Sequence, residues 1–426
     1  MLISSVVLAM IVSIVLFKQA LRLNLYLAFL FLMSVITFVP AMVFVMSIDG
    51  LGYAFLLYLV WFFTSITALH LFRHLSADLR KSVLHQHALG YKLKTELLIA
   101  MVLVLTFYLI LTPQILTAPW WLDDQSRVAY MSDGSTLLRG VKLTPVILAS
   151  IALAKPVLRR SDIIVLMAIS VLFSLYVGSK SGMLFLIATI ALHATVYHIR
   201  PMVTVRTFSL PVLVFLVFIV FFFLEIAANA DVTLVESLLL RQDSDVRGLT
   251  ALFDIDALNA CKNMSYLAPI QSTISKIIPL VERPIGHLSY GNCLASPLDP
   301  SYPFELLTPL FVEIYGIYGP ELVLPLVGLI LLLIVIQFKI LGKIGKLFDV
   351  RAISIGAQGY FSYSMLSILY GGKYTNHLVS DYITVIIIIV FVGVIKKVFF
   401  LGARSGPRSS QKTGFKPIPL ELESRI

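Results

Sequence analysis

The sequence predicts an all-α, polytopic integral membrane protein with about eleven transmembrane helices and one large outer loop. Of its 426 residues, 59% are hydrophobic and only 13% are charged, with a mean hydropathy of +0.94, whereas soluble domains carry about 25% charged residues. The apolar residues form stretches close to the roughly 20 residues that cross a bilayer. The net charge of +10 is therefore interpreted by its location along the chain and not as a nucleic-acid signal.

Apolar stretches divide the chain into four regions. Residues 1–226 form an N-terminal membrane bundle, 227–318 a large outer loop, 319–400 three C-terminal membrane helices, and 401–426 a tail. The tail is rich in Gly, Ser, Pro and Lys, which predicts a disordered cytoplasmic segment. The predicted spans cover residues 1–17, 24–47, 52–72, 96–117, 141–158, 163–178, 183–199, 207–226, 319–338, 352–371 and 381–397.

Two of the loops have features of their own. A basic, His-containing loop from Arg73 to Lys94 follows the third span. The sixth and seventh spans are separated by Gly178-Ser-Lys-Ser-Gly182. This break is either a tight surface turn or irregular backbone inside the membrane, and the latter is tolerated only where it lines a protein-buried or wet cavity.

The distribution of basic residues predicts the orientation. Lys and Arg accumulate in alternate loops and in the tail, and such loops lie on the cytoplasmic side of a membrane. The N-terminus is therefore expected outside and the C-terminus inside, which leaves the large loop outside. Met1–Phe17 lacks the basic start and small-residue cleavage site of a signal peptide.

Both cysteines of the chain, Cys261 and Cys293, fall in the large outer loop. Disulfides persist on the outer side of a membrane, so we predict a disulfide between them. Two unrelated buried thiols are the alternative.

The start of the outer loop has helix signals followed by arginines. Thr233 and Glu236 have the spacing of a capping box, which predicts a helix lying along the membrane surface. Arg241 and Arg247 would then lie at the interface, and the planar guanidinium fork matches phosphate. The alternative is that both arginines extend to the interface or pair with neighbouring aspartates.

Further candidates lie later in the loop and at the ends of spans. Arg283 and His287 flank a Pro–Gly turn, and His is the side chain best suited to act as a general base near neutral pH, although a lone His is more often structural. Glu313 has apolar neighbours, which is costly unless it faces a cavity or a cation. Lys180 and Arg139 add positive charge near the outer ends of spans, where structural pairing is the alternative.

The sequence resembles the oligosaccharide repeat-unit polymerases, the Wzy group that builds O-antigen. The resemblance lies in the predicted architecture, in the Gly178–Gly182 break and in the motif Glu313-Ile-Tyr-Gly-Ile-Tyr-Gly319. In that group the break commonly reads Gly-Ser-Arg-Gly and the later motif Glu-x-Tyr-x-x-Phe-Gly. Here Lys180 stands at the basic position and Tyr318 at the aromatic position. The resemblance implies a GT-C-like membrane glycosyltransferase of the bacterial inner membrane.

The implied reaction transfers a glycan from a polyprenyl-pyrophosphate carrier to another lipid-linked repeat unit. The pyrophosphate leaving group supplies the driving force, so no cofactor is expected, and no carboxylate or His cluster predicts a metal site. His287 and Glu313 are the catalytic candidates, as base and as orienting carboxylate. The candidates for binding pyrophosphate or glycan are Arg241, Arg247, Arg283, Lys180, Arg139 and Tyr315.

The expected partners are polyprenyl-pyrophosphate-linked oligosaccharides and membrane lipids, with a chain-length regulator as a further candidate and nucleic acid excluded. Two alternatives stay open. An O-antigen ligase shares donor and architecture but uses a different acceptor. A polysaccharide or lipid transporter (flippase) would also be polytopic, although transporters often contain internal repeats and none is visible here.

Overall fold

The computed structural model describes residues 11, 13–21, 51–88, 94–117, 141, 143–177, 181–199, 313–315, 318–371 and 381–401, together with scattered residues between 209 and 236. Within this part of the chain every regular element is a helix and none is a strand. The prediction of an all-α protein is confirmed for these residues. The helices are α1 (Leu51–Ala88), α2 (Lys94–Thr117), α3 (Thr144–Leu153), α4 (Arg160–Val177), α5 (Ser181–Val196), α6 (Val323–Leu347), α7 (Arg351–Gly371) and α8 (Tyr382–Leu401), and a 3-10 turn (Pro320–Leu322) precedes α6.

Two of the described helices are long and apolar enough to cross a membrane, namely Thr95–Pro113 within α2 and Val323–Leu347, which is α6. Thr144–Leu153 and Leu184–Val196 are shorter apolar helices. On length and composition alone, these segments support association with a membrane.

Helix α7 is the centre of the described bundle. All residues from Ala352 to Tyr363 are buried, and α7 packs against α1, α2, α3, α5, α6 and α8. Small residues permit this close packing. A Cβ added to Gly356 would lie 1.9 Å from Ser150 Oγ and 2.5 Å from the Val146 carbonyl oxygen of α3, so glycine is required where these two helices meet.

The predicted ends of two helices are wrong. Helix α1 has 38 residues and ends at Ala88, although the sequence analysis ends the span at residue 72 and places a loop after it. The helix continues because Leu75, Leu79 and Val83 are buried at four-residue spacing, which forms an apolar stripe on the otherwise polar part of α1 after residue 72. Helix α6 likewise continues past residue 338 to Leu347.

Candidate functional site

Two of the predicted site residues, Glu313 and Tyr315, belong to the described part of the chain. The remaining candidates lie outside the described residues: Arg139, Lys180, Arg241, Arg247, Cys261, Arg283, His287 and Cys293. Their roles, and the disulfide, stay predictions.

The described residues between Glu313 and Gly319 have helical conformation up to Tyr318. Glu313, Ile314 and Tyr315 are helical, and the Gly319 amide donates a 2.9 Å hydrogen bond to the Tyr315 carbonyl oxygen. Gly319 has a φ of +85°, the left-handed conformation in which helices commonly end and which glycine adopts without steric cost. The chain then enters the 3-10 turn Pro320–Leu322 and continues as α6. The glycine that ends the motif therefore sets the direction of the following apolar helix.

Glu313 is buried, with 6% of its surface exposed, beside Ile314 at 1%. Burying a carboxylate is costly without hydrogen-bonding or ionic partners, so a Glu at such a position indicates a specific local role. The predicted cavity or cation beside this carboxylate stays a prediction.

Tyr315 and Tyr318 are both half-buried. Helical residues three apart lie on the same side of a helix, whereas residues two apart do not face each other. Tyr315 therefore pairs by position with Tyr318 and not with Glu313. The motif thus offers a buried carboxylate in one direction and two partly accessible phenol rings in another.

The predicted capping box at the start of the outer loop is confirmed. The backbone amide and the hydroxyl of Thr233 donate hydrogen bonds of 2.7 and 2.8 Å to Glu236 Oε2, and the Glu236 amide donates a 3.2 Å bond to Thr233 Oγ1. The bond from the Thr233 amide lowers the pKa of Glu236 below its usual value of 4.5. The carboxylate therefore stays ionised at the first turn of this helix.

A cluster of hydroxyl groups, which sequence reasoning missed, joins α2, α3 and α4. Tyr108 Oη lies 2.8 Å from Thr144 Oγ1, and Thr112 Oγ1 lies 2.8 Å from Tyr176 Oη. The two phenol rings are tilted against each other with centroids 4.5 Å apart. We call Tyr108, Thr112, Thr144 and Tyr176 the tyrosine–threonine cluster. The available signal was the occurrence of Tyr and Thr in otherwise apolar spans, since such residues form hydrogen bonds across membrane helices.

This cluster lies close in sequence to two of the predicted cationic positions. Tyr176 comes two residues before the Gly178–Gly182 break that contains Lys180, and Arg139 comes five residues before Thr144. In the predicted orientation these chain segments are at the outer side. Because the hydroxyls pair with one another, the cluster supplies neutral, aromatic surroundings and no charge of its own.

An ion cluster, also missed from sequence, joins the other end of α2 to α8 and to the turn between α6 and α7. Lys396 Nζ lies 2.9 Å from Glu96 Oε1 and 2.9 Å from Asp349 Oδ2, and it also donates to the Asp349 carbonyl oxygen. The Ala352 amide donates a 3.1 Å hydrogen bond to Glu96 Oε2. The Glu96 side chain has no exposed surface and that of Lys396 is 20% exposed. We call Glu96, Asp349 and Lys396 the ion cluster.

The geometry of the ion cluster indicates a structural role, in which it holds the helices together. Each Glu96 oxygen has a donor, which is the condition under which a buried carboxylate is tolerated. Glu96 stands in the first turn of α2 and Lys396 near the end of α8. Isolated ionisable residues at the ends of apolar helices were the signal that could have found this site.

Among the described residues, no group of three or more His, Cys, Asp or Glu side chains is arranged to hold a metal ion. Comparisons of this chain with protein-family models, with curated proteins and with solved structures found no match. The functional interpretation therefore depends on the residues and the geometry described above.

Proposed function

We propose that this protein is a membrane glycosyltransferase that polymerises polyprenyl-pyrophosphate-linked oligosaccharide repeat units into O-antigen or a related surface polysaccharide. In this proposal about eleven helices cross the bacterial inner membrane in a GT-C-like arrangement. The N-terminus is periplasmic, the C-terminus is cytoplasmic, and glycosyl transfer takes place at the periplasmic face.

The observation that carries the proposal is the buried carboxylate of Glu313 in the motif that resembles the polymerases. Its side chain is 6% exposed, and Gly319 ends the helical stretch with a positive φ just before the long apolar helix α6. A carboxylate in such surroundings is suited to orient a cation or an acceptor hydroxyl, because its interaction with either is strong where water is excluded.

The proposed chemistry assigns complementary roles to charged and aromatic groups. Arginine and lysine side chains stabilise negative charge as the pyrophosphate departs, and Arg241, Arg247 and Arg283 are the first candidates, with Lys180 and Arg139 behind them. His287 accepts the proton of the attacking hydroxyl. Tyr315 and Tyr318, both half-buried, offer ring faces that pack against the apolar face of a pyranose.

The main alternative is an O-antigen ligase, which uses the same donor and transfers the finished chain to a lipid A–core acceptor. A transporter or flippase is the second alternative. A polymerase lengthens the glycan, a ligase joins finished polymer to a new acceptor, and a transporter makes no glycosidic bond. The length distribution of the surface glycan therefore separates the polymerase from the ligase.

Deletion of the gene in its native host, followed by complementation, tests the proposal. Loss of polymerase turns a ladder of surface polysaccharide into core plus a single repeat unit, which wild-type protein reverses. Loss of all attached repeats with accumulation of lipid-linked polymer indicates the ligase. An unchanged ladder contradicts both enzymatic functions.

Site-directed variants test the role of the buried Glu313 carboxylate separately. Glu313→Gln removes the charge and keeps the shape, and we expect it to lower polymer formation by about 10²-fold, the effect of misplacing a reacting group. Glu321→Gln is the matched control, because Glu321 is exposed and only eight residues away. Arg247→Ala, Arg283→Ala and His287→Ala complete the series. If all of these variants restore the ladder at normal expression, the assigned site is wrong even where the function stands.

A further inference from the structure

Two histidines lie together on the exposed surface of α1, at the point where the helix continues past the predicted span. His70 and His74 are both exposed and stand one turn apart. Their Nε2 atoms form a 3.0 Å hydrogen bond, in which one ring donates and the other accepts, and their ring centroids are 4.5 Å apart. Both imidazoles therefore direct the same ring nitrogen at one point on the helix surface.

The geometry points to a bidentate site for a divalent transition-metal ion, Cu²⁺ in preference to Zn²⁺, held by His70 Nε2 and His74 Nε2. Imidazole nitrogen is a common ligand for these ions. When the ion binds, the ring whose Nε2 donates in the hydrogen bond loses that proton and takes one up on Nδ1, so that both rings hold their proton on Nδ1 and both Nε2 lone pairs face the ion. The exchange leaves both rings neutral, and no net proton is released.

The position of the two rings allows one ion to reach both nitrogens. Because the Nε2 atoms already lie 3.0 Å apart, small side-chain rotations bring both to the metal–nitrogen distance of about 2.0–2.1 Å. Cu²⁺ is the preferred ion because it binds most tightly of the common divalent first-row ions to a given set of nitrogen ligands.

The surroundings limit the protein ligands to these two nitrogens. Asp78 follows one turn after His74 on the same side of α1, but its Oδ1 lies 3.9 Å from Lys81 Nζ, and no third ligand completes a cluster within the described residues. Water fills the remaining positions of an ion that is open to solvent. Arg73, which lies between the two histidines in sequence and is exposed, adds positive charge that weakens the affinity without blocking either nitrogen.

A bound ion would link two successive turns of α1 across residue 72, where the predicted span ends. It would thereby stabilise the continuation of the helix toward Ala88, since any ligand that binds only the folded state stabilises that state. This inference concerns α1 alone and is independent of the proposed glycosyltransferase activity.

Titration of the full-length protein with Cu²⁺ in detergent, without a polyhistidine tag, tests the site. We expect electron paramagnetic resonance to show one Cu²⁺ per chain with hyperfine structure from two imidazole nitrogens. His70→Gln and His74→Gln should each weaken binding at least tenfold and leave a one-nitrogen signal or none. The double variant reports binding by any other group, including the terminal amine.

His85→Gln is the matched control, because His85 is an exposed imidazole of the same helix with Lys81 one turn before it. It should keep the two-nitrogen signal, and Asp78→Asn should keep it as well. A wild-type spectrum with one nitrogen, binding unchanged by His70→Gln and His74→Gln, or tighter binding of Zn²⁺ than of Cu²⁺ would each overturn the inference. Circular dichroism of the variants verifies that their helices are intact.

Discussion

The two ends of α2 are held to the rest of the bundle by different chemistry. At its first turn, Glu96 pairs with Lys396, which is 300 positions away in sequence, and accepts a bond from Ala352, 256 positions away. Toward its other end, Tyr108 and Thr112 bond to Thr144 and Tyr176, at separations of 36 and 64 positions. One end is thus ionic and joins the two halves of the chain, whereas the other is neutral and forms within the N-terminal half.

This difference between the two ends of α2 shows which contacts fix the position of the two halves of the chain relative to each other. A buried charge without its partner is severely penalised, so the ion cluster tolerates little displacement of α8 or of the turn between α6 and α7. Neutral hydroxyl pairs contribute less and can exchange partners with water. In the predicted orientation the rigid ionic end is cytoplasmic and the more adaptable end faces the periplasm, where the proposed reaction takes place.

The largest expected effect comes from breaking the ion cluster. Glu96→Ala leaves Lys396 and the Ala352 amide without the buried carboxylate, and we expect it to lower the free energy of unfolding by about 3 kcal/mol, as for other buried pairs that lose one partner. Thermal or denaturant unfolding in detergent measures the change. Lys397→Ala is the control, because Lys397 is the neighbouring lysine and contacts the Phe348 ring instead.

The double variant Glu96→Gln/Lys396→Gln sharpens this test. If the two groups interact, the double variant should be more stable than the sum of the single changes predicts. Additive effects, or a loss below about 0.5 kcal/mol for Glu96→Ala, the range typical of surface substitutions, would contradict the role assigned to the cluster.

The next largest effect is expected where α7 crosses α3. Gly356→Ala would force α7 away from α3, since the new methyl group would lie 1.9 Å from Ser150 Oγ and 2.5 Å from a backbone oxygen. We expect a loss of about 1–3 kcal/mol, the usual result of overpacking, measured by the same unfolding assay. Gly328→Ala is the matched control, because a Cβ at Gly328 meets nothing within 4 Å, and alanine favours a helix by about 1 kcal/mol over glycine. Equal effects of the two substitutions would show that the crossing is not tight.

A smaller effect is expected at the neutral end. Tyr108→Phe removes the hydroxyl that pairs with Thr144, while Thr144 Oγ1 keeps its 2.7 Å bond to the Val141 carbonyl oxygen. The expected loss is about 1 kcal/mol, typical of one hydrogen bond, and it should not depend on salt concentration. Thr106→Val is the control, since it breaks an exposed bond to Val102 within the same helix. A loss as large as that of Glu96→Ala would remove the contrast between the two ends.

The smallest effect concerns an ion pair at the surface, in the turn between α3 and α4. A hydrogen bond from Lys155 Nζ, followed by one from the Arg159 amide, lowers the pKa of Asp162 below its usual value of 3.8. A lowered pKa in the folded state means that the stabilisation is complete above about pH 5 and is lost as the pH falls below 3.8. For this exposed pair we expect at most about 1 kcal/mol.

The difference in unfolding free energy between wild type and Asp162→Asn measures this contribution. It should be largest near neutral pH and should shrink on acidification through the range below pH 4. Lys81→Ala is the control, because the exposed contact between Lys81 and Asp78 is long, at 3.9 Å. A difference that grows as the pH falls would contradict the assignment.

Local patterns predicted much of what the described residues contain. The spacing of Thr233 and Glu236 predicted the capping box, because that bond pattern involves four consecutive residues. The continuation of α1 to Ala88 was missed because its charged residues suggested a loop, while the stripe of Leu75, Leu79 and Val83 gave the opposite and correct signal. His70 and His74 also have a readable four-residue spacing, but the distance between their nitrogens follows from their rotamers.

The amino-acid sequence by itself therefore determined the helical class, the apolar segments and the capping box at Thr233, since these depend on neighbours within a few turns. The tertiary structure decided that Gly356 faces Ser150, that Lys396 reaches Glu96, and that Tyr108 and Tyr176 meet. Those contacts join residues far apart along the chain, and no periodicity or spacing in the sequence predicts them. Their physical basis is the packing of helices around α7, which brings distant groups to hydrogen-bonding distance only once the helices are assembled.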